Sequence, residues 1–492
     1  MNPTKTLLSL IAIIFISVTV ISFRYSIIKP FTLDEIEEAR MAQKIPVMGT
    51  KTFHPDGGKE DLGHPLLYSY TNAVFYILFG SSEIALRSYG ALFFALSLVV
   101  LLLMFREACP GRVFLRSAMF IGGFLYALNP LLIQHSMLLN ADNNISAFAI
   151  ICFVYLFFKF EKYSGREFIK SRAIIALAIA FNYMCKEVTP TFLMASVIAY
   201  RAINRDKKKL VIDALTIVAG MAIFWGIWLL YCHFSNTDIL SFIKFTAMKK
   251  GKKVTIHFLL RNFQHVFVLL KWPFYWTGAP FFLVVFIYML DRLKAFVRKL
   301  KLEREDFVLL AGCFMFTPFV FVKASIDMMK YQYPSIPVFI FCITFFLLKT
   351  AGFPEAHTGN LKNELKRLAF LFFIFLIPAS VAYYFMGDYI LAIWSPYSKY
   401  LGGKFYVYYY TPIVLVSIVM WAAFRKRGFY VTVIWSLLLC VYPINIGLNL
   451  NQTKPYTTAE GFLNYGESGL TDTVNYLREH VDTGKLLIAR KD

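Results

Sequence analysis

Apolar segments long enough to cross a membrane recur along the whole chain, and short polar stretches separate them. A helix needs about 20 apolar residues to cross the hydrocarbon core, and on that measure the pattern predicts about thirteen spans. The predicted spans are 6–28, 84–105, 115–134, 143–160, 172–185, 187–201, 210–231, 274–291, 307–323, 333–349, 367–386, 409–424 and 429–447. The chain is therefore expected to be an all-α polytopic membrane protein.

Two further helices are expected between the first and second spans. Thr32 followed by Glu35 fits the capping box S/T-x-x-E, and a helix over 33–45 would be apolar on one side. The residues on that side are Leu33, Ile36, Ala39, Ala42 and Ile45. The second helix, within 65–80, is too short to span comfortably and is rich in Tyr and Phe. Both patterns are typical of helices that lie on the membrane interface.

Composition and charge fit a membrane protein with a defined orientation. Hydrophobic residues make up 58% of the chain, and the mean hydropathy is +0.57. The formal net charge is +21, but the basic residues lie mainly in short loops, as the positive-inside rule requires of cytoplasmic loops. The predicted inside loops are 106–114, 161–171, 202–209, 292–306, 350–366 and 425–428. The N-terminus is thus expected in the cytoplasm and the C-terminus outside, and no nucleic-acid partner is expected.

Long segments collect on the predicted outer face of the cytoplasmic membrane. They are 29–83, 232–273, 387–408 and 448–492. Roughly a third of the chain lies there, which indicates that the chemistry takes place on that face. The chain is therefore divided into a membrane domain, 1–447, and an outer tail, 448–492. In that tail "LTDTVNYLREHVDTGKLLIARKD" predicts one helix and one strand, the start of a small α/β domain.

The densest acidic cluster follows the first span directly, in "FTLDEIEEAR". Asp34 would be the second residue of the helix over 33–45, where the helix dipole favours a charged carboxylate. An ionised carboxylate at the membrane surface is suited to act as a general base. Glu35 is adjacent to it, whereas Glu37 and Glu38 are expected on the solvated face.

The motifs that follow occur in a specific order. "GHPLLYSY" precedes "EIALRSYG", then come "LNADNN", "NYMCKEV" and "MMKYQYPSIP". The ordered set, over roughly residues 5–350, resembles the GT-C superfamily of polyprenyl-phosphate-sugar-dependent glycosyltransferases. It looks closest to the protein O-mannosyltransferase and lipid A aminoarabinose transferase branch (glycosyltransferase families 39 and 83). The resemblance implies a GT-C fold and transfer of a sugar from a polyprenyl phosphate, with inversion.

The resemblance also implies roles for individual residues. Asp34 matches the catalytic Asp of an Asp-Glu pair, with Glu35 as its partner, and Asp142 matches a second Asp at the outer end of a helix. Cationic and hydroxyl groups are expected to face the phosphate of the donor, because the departing lipid phosphate is negatively charged. The residues at these positions are His64, Arg87, Lys186, Lys330 and Tyr331. Two departures weaken the match: the family's second Pro after His64 is Leu66, and Cys185 and Glu187 flank Lys186.

A metal cofactor stays open at this point. The stretch "HPDGGKEDLGH" brings His54, Asp56, Glu60, Asp61 and His64 close together in sequence. Imidazole and carboxylate groups can hold a divalent ion, but the spacing matches no strict motif.

Two other functions are weighed against the transferase. A lipid or polysaccharide flippase should show paired broken helices in two repeated halves, with charges inside the membrane. No such repeat is evident, and the acids lie at the rim. A ligase or polymerase that uses lipid-diphosphate donors would predict a larger cluster of Arg on the outer face. The sugar, the carrier (undecaprenyl or dolichyl) and the acceptor, whether lipid, glycan or protein, stay open.

Overall fold

The structure, a computed structural model, describes residues 33–48, 67–80, 82–109, 111–127, 132, 139, 144–186, 188–235, 301–323 and 333–350. Every regular element within these ranges is helical. The helices are α1 (Leu33–Met48), α2 (Leu67–Phe79), α3 (Glu83–Ala108), α4 (Arg112–Ala127), α5 (Asn144–Phe160), α6 (Gly165–Cys185), α7 (Val188–Ile203), α8 (Lys207–Ser235), α9 (Arg304–Lys323) and α10 (Ile336–Thr350), which a 3-10 turn at Tyr333–Ser335 precedes.

These helices coincide with the predicted spans wherever the two can be compared. The predicted spans that fall on described helices are 84–105, 115–134, 143–160, 172–185, 187–201, 210–231, 307–323 and 333–349. Within the described ranges, three helices are long and apolar enough to cross a membrane: Ala85–Ala108, Gly165–Cys185 and Lys207–Ser235. The predicted spans 6–28, 274–291, 367–386, 409–424 and 429–447, and the outer tail 448–492, lie outside the described residues.

Helix ends differ from the predicted boundaries where polar residues extend an apolar segment. The span predicted to begin at residue 172 is part of a helix that begins at Gly165. The span predicted over 210–231 is the middle of α8, which reaches Ser235. Hydropathy locates the part of a helix that is apolar, but backbone hydrogen bonding continues into polar turns at its ends. The predicted span 333–349 begins with a 3-10 turn that contains Pro334.

The core of the bundle is aromatic and closely packed. Phe105 on α3 stacks on Phe341 of α10, with ring centroids 5.1 Å apart, and Phe157 on α5 contacts Phe307 of α9 at 4.2 Å. On α8, Gly220 allows a close approach to α6. A Cβ at that position would lie 2.8 Å from the carbonyl oxygen of Ala176 on α6. The helices that carry the candidate site are therefore held by a rigid bundle.

The predicted inside loops meet at one end of the bundle, which we call the inner end. Lys162 pairs with Glu107, with the Nζ–Oε2 distance at 2.7 Å. Asn204 donates to the backbone oxygen of Leu302 at 3.2 Å and accepts from its N–H at 2.8 Å. Arg304 donates to the backbone oxygen of Glu107 at 3.0 Å. These contacts join residues of four predicted inside loops, so the loops lie on the same side, as the sequence predicts.

A buried network of charges links helices at the inner end. Arg201 of α7 donates to Asp213 of α8 at 2.6 Å and to Glu161 at 2.7 Å, and its side chain is only 1% exposed. Lys209 lies 3.1 Å from Glu161. Arg172 of α6 places its Nε 2.9 Å from the Asp213 carboxylate. The basic residues of these loops predict the orientation of the chain, but their partners are not evident from the sequence.

Candidate active site

Helix α1, which carries the acidic cluster, is fixed to the outer end of the bundle, opposite the inner end. Ala39 and Ala42 are buried together with Leu86 of α3 and with Leu139. Met41 and Ile45 pack with Ala73 of α2 and Trp228 of α8. The predicted apolar face is thus confirmed for Ala39, Ala42 and Ile45, and it packs against other helices of the chain.

The position of Asp34 follows from this packing. Helix α1 begins at Leu33, so Asp34 is the second residue of the helix, as the sequence predicts, and Glu35 is the third. The side chains of Asp34, Glu35 and Glu37 lie outside the described residues. The backbone of α1 nevertheless places both predicted carboxylates in the first turn of a helix whose later turns are anchored.

An aromatic cluster at the outer end joins α2, α3, α5 and α6. Tyr68 and Phe75 of α2 both meet the ring of Tyr89 of α3 edge-on, with centroids 5.5 and 5.2 Å apart. The hydroxyl groups of Thr71 and Tyr89 are 2.9 Å apart. Ile145 of α5 and Cys185 of α6 complete the cluster. This cluster sets the relative positions of the helix ends from which the candidate cations project.

The two described cations of the predicted phosphate site lie beside this cluster. Arg87 precedes Tyr89 by two residues and is 1% exposed, and Lys186 follows Cys185 directly and is 4% exposed. The backbone N–H of Lys186 donates to the carbonyl of Asn182 at 3.0 Å, which ends α6. Helix α7 begins at Val188, so Lys186 has no loop of its own, as the sequence predicts. The structure therefore brings Arg87 and Lys186 to the same end of the bundle and buries both.

The remaining predicted site residues lie outside the described residues. They are His64, Asp142, Lys330 and Tyr331, together with the metal-ligand candidates His54, Asp56, Glu60 and Asp61. Leu139, three residues before Asp142, is buried against Leu86 and Ala39. No group of three metal-ligating side chains is present among the residues that the structure describes.

An apolar cavity opens beside the same end of the bundle. Its volume is about 200 Å³, and α2, α6 and α8 line it. The lining residues are Leu67, Tyr70, Met184, Phe224, Ile227, Trp228 and Tyr231. Trp228 stacks on Tyr231. Burial raises the pKa of the Tyr70 phenol, which keeps this phenol uncharged, and the other lining side chains carry no charge. Leu67, which lines the cavity, packs against the cluster that contains Cys185, the residue before the buried Lys186. Sequence reasoning did not find this cavity, because its lining residues are far apart in the chain.

Comparison with known proteins finds a family match over part of the chain and a similar fold among solved structures. Residues 63–228 match the family model described as dolichyl-phosphate-mannose-protein mannosyltransferase. Two crystal structures of ArnT from Cupriavidus metallidurans share the fold. The structure bound to undecaprenyl phosphate has a TM-score of 0.57 at 14% identity, over 98% of this chain and 82% of that one. The apo structure gives 0.58 at 14% identity, over 97% and 81%.

The resemblance predicted from the sequence is confirmed. The chain has the fold of ArnT along almost its whole length. The match to the mannosyltransferase family covers about a third of the chain, from just before α2 into α8. It includes His64, Arg87, Asp142 and Lys186, but not Asp34, Lys330 or Tyr331. A comparison with curated proteins finds no match.

Proposed function

We propose that this protein is an inverting glycosyltransferase that moves a sugar from a polyprenyl phosphate to an acceptor at the outer face of the cytoplasmic membrane. One observation carries the proposal. The helix with the Asp34–Glu35 pair is packed on the same end of the bundle as the buried cations Arg87 and Lys186 and the apolar cavity. Sugar transfer from a lipid phosphate requires three things: a base, a binding site for the phosphate anion and a binding site for the lipid.

Asp34 takes the proton of the acceptor in this mechanism. The acceptor oxygen or nitrogen attacks the anomeric carbon of the donor while the bond from that carbon to the phosphate oxygen breaks. The phosphate leaves with the electron pair, and the proton of the acceptor goes to the carboxylate of Asp34. The first turn of α1 favours the ionised carboxylate that this step needs, because the N-terminal end of a helix carries partial positive charge. Glu35 stands beside Asp34, and Asp142 holds the acceptor or a sugar hydroxyl.

Arg87 and Lys186 hold the phosphate in this arrangement. Both side chains are buried, and charge–charge attraction is stronger in a medium of low dielectric than in water. His64, Lys330 and Tyr331 supply further contacts on the phosphate. As the phosphate departs, it gains negative charge, so fixed cations lower the energy of the transition state.

The apolar cavity accepts the first isoprene units of the donor. The aromatic rings that line it provide apolar contact area, and such a surface suits a branched hydrocarbon chain, which forms no hydrogen bonds. Because Met184 lines it and Lys186 follows, one ligand can place its phosphate at the cation and its tail in the cavity.

The experiment that tests this function measures binding and transfer with the purified full-length protein. Undecaprenyl phosphate should raise its melting temperature, and undecaprenol should do so much less. Undecaprenyl-phosphate mannose and undecaprenyl-phosphate aminoarabinose, labelled in the sugar, should transfer label to a membrane extract of the source cells. A protein that binds neither the lipid phosphate nor the sugar-loaded lipids would contradict the proposal.

A further inference from the structure

Asn72 on α2 is a buried polar side chain whose hydrogen-bonding groups are unused. The residue is 0% exposed. Neither its Nδ2 nor its Oδ1 has a hydrogen-bond partner among the residues that the structure describes. Folded proteins pair nearly all such groups, because a buried donor or acceptor without a partner loses its hydration and gains nothing. Asn72 is an exception, and it lies at the outer end of the bundle, where the candidate active site is. Its unpaired groups therefore call for a functional explanation.

Helical spacing places Asn72 at the join of α1, α2 and the start of α3. Residues four apart lie on one face of a helix, so Asn72 shares a face with Tyr68 and Tyr76. Tyr68 packs edge-on against Tyr89, and Tyr76 packs beside Leu86. Thr71, the residue before Asn72, bonds the hydroxyl of Tyr89, so Asn72 lies at the level of Tyr89, two residues along α3 from Arg87.

We infer that Asn72 binds the sugar of the donor and helps to select it. This inference rests on the proposed function. The carboxamide presents a donor and an acceptor side by side, and both are unpartnered. A phosphate at neutral pH only accepts, so it would leave the Oδ1 of Asn72 unpaired. Two neighbouring hydroxyl groups of a sugar can accept from Nδ2 and donate to Oδ1 at once, which satisfies both groups.

The burial of Asn72 makes its unpaired amide costly, and a bound sugar would relieve that cost. The side chains that cover Asn72 must move when a sugar reaches it. Opening that cover breaks no hydrogen bond of Asn72 within the described structure, and the bound sugar then supplies the missing partners. The unpaired amide therefore favours the sugar-bound protein over the free protein, in which Asn72 is covered. Binding of the lipid tail alone supplies no hydrogen bond to Asn72.

The test compares wild type with Asn72→Leu, which keeps the size of the side chain and removes both polar groups. Thermal shifts are measured with undecaprenyl phosphate and with the same lipid carrying mannose, glucose or 4-amino-4-deoxyarabinose. Wild type should bind at least one sugar-loaded lipid more tightly than the bare lipid phosphate. Asn72→Leu should keep the affinity for the bare lipid phosphate and lose the added affinity from the sugar. The value of kcat/KM for that donor should fall by about tenfold or more, since two hydrogen bonds are lost.

Asn204→Leu is the matched control. The Asn204 side chain is fully used at the inner end, where it bonds both backbone groups of Leu302. This variant should lower the melting temperature and leave the added affinity from the sugar unchanged, whereas Asn72→Leu should leave the melting temperature of the apo protein unchanged or raise it.

Three results would overturn the inference. Asn72→Leu could retain the full added affinity from the sugar. Wild type could bind the bare lipid phosphate as tightly as each of the three loaded lipids. The apo melting temperature of Asn72→Leu could fall as far as that of Asn204→Leu with donor specificity unchanged, which would make Asn72 a structural residue. A wild type that binds none of these lipids would overturn the proposed function, and the inference with it.

Discussion

At the scale of single residues, Asp34 carries the proposed reaction. Asp34→Asn keeps the size of the side chain and removes the proton acceptor, so the protein should insert and fold as before. Transfer should fall by about 10²–10⁴-fold, the usual contribution of a general base. The matched control is Glu37→Gln on the same helix, which should leave transfer within about twofold of wild type. Turnover by Asp34→Asn at the wild-type rate, with purified protein and sugar-loaded lipid, would refute the assignment of the base.

Lys186 offers a second test that does not depend on turnover. An ammonium between apolar segments costs roughly 2.5–3.5 kcal/mol on insertion scales, so the Lys186 side chain is expected to have a functional or structural role. If the donor phosphate is a partner, Lys186→Met should lose the thermal stabilisation that undecaprenyl phosphate gives wild type. Lys170→Met removes an exposed lysine of α6 that pairs with the exposed Glu167, and it should keep that stabilisation. A Lys186→Met protein that is stabilised as strongly as wild type would show that Lys186 is not a phosphate ligand.

Residues differ in how far the sequence reveals them. Lys186 could be predicted as a candidate because a charge between apolar segments is unusual whatever the fold. Asn72 could not, because an asparagine in a Tyr-rich helix looks ordinary until its burial and its missing partners are known. The partners of Arg201 are equally hidden, since Glu161 and Asp213 are 40 and 12 residues away in the chain and only the fold brings them together.

At the scale of helices, substitutions at two glycines of α8 separate the effect of helix packing on stability from the effect of intrinsic helix propensity. Gly220 faces α6, where a Cβ would lie 2.7 Å from the side chain of Ile179, whereas nothing lies within 4 Å of a Cβ at Gly226. Gly220→Ala should therefore destabilise the protein by about 1–3 kcal/mol through overpacking. Gly226→Ala should be neutral or slightly stabilising, because alanine is the better helix former. Equal melting temperatures for the two variants would contradict the close packing of α6 on α8.

The same scale shows what periodicity can predict. The short pair of spans around "CKEV" is confirmed as two helices, α6 and α7, because each apolar segment is long enough to be a helix alone. For α1, the spacing of Ala39, Ala42 and Ile45 predicted the apolar face, which was expected to rest on the membrane interface. The same apolar face could rest on lipid or on protein, and only the fold shows that it packs on α2, α3 and α8.

At the scale of the whole molecule, buried charges at the inner end join α6, α7 and α8. Arg201→Met would remove a partner from the buried carboxylate of Asp213 and from the carboxylate of Glu161, which is 11% exposed. Removing one member of a buried ion pair typically costs about 3–5 kcal/mol. Lys162→Met, which breaks a half-exposed pair with Glu107, should cost at most about 1 kcal/mol. Melting temperatures of the two variants in detergent test these expected losses of stability. If Arg201→Met is as stable as Lys162→Met, the buried network does not stabilise the protein.

The orientation of the bundle in the membrane is the remaining property of the whole molecule, and α8 allows a direct test. Its 29 residues make a helix about 44 Å long at 1.5 Å per residue, enough to reach from one face of a bilayer to the other. Lys208 is exposed near its inner end and His233 near its outer end. Because the charged loops at the inner end are rich in Lys and Arg, that end should face the cytoplasm. A membrane-impermeant maleimide added to intact cells should label His233→Cys, and it should label Lys208→Cys only after the cells are made permeable. Wild type is the control for background, since its described cysteines are buried or half-buried. Labelling of Lys208→Cys in intact cells, with His233→Cys protected, would invert the topology and move the proposed reaction to the cytoplasmic face.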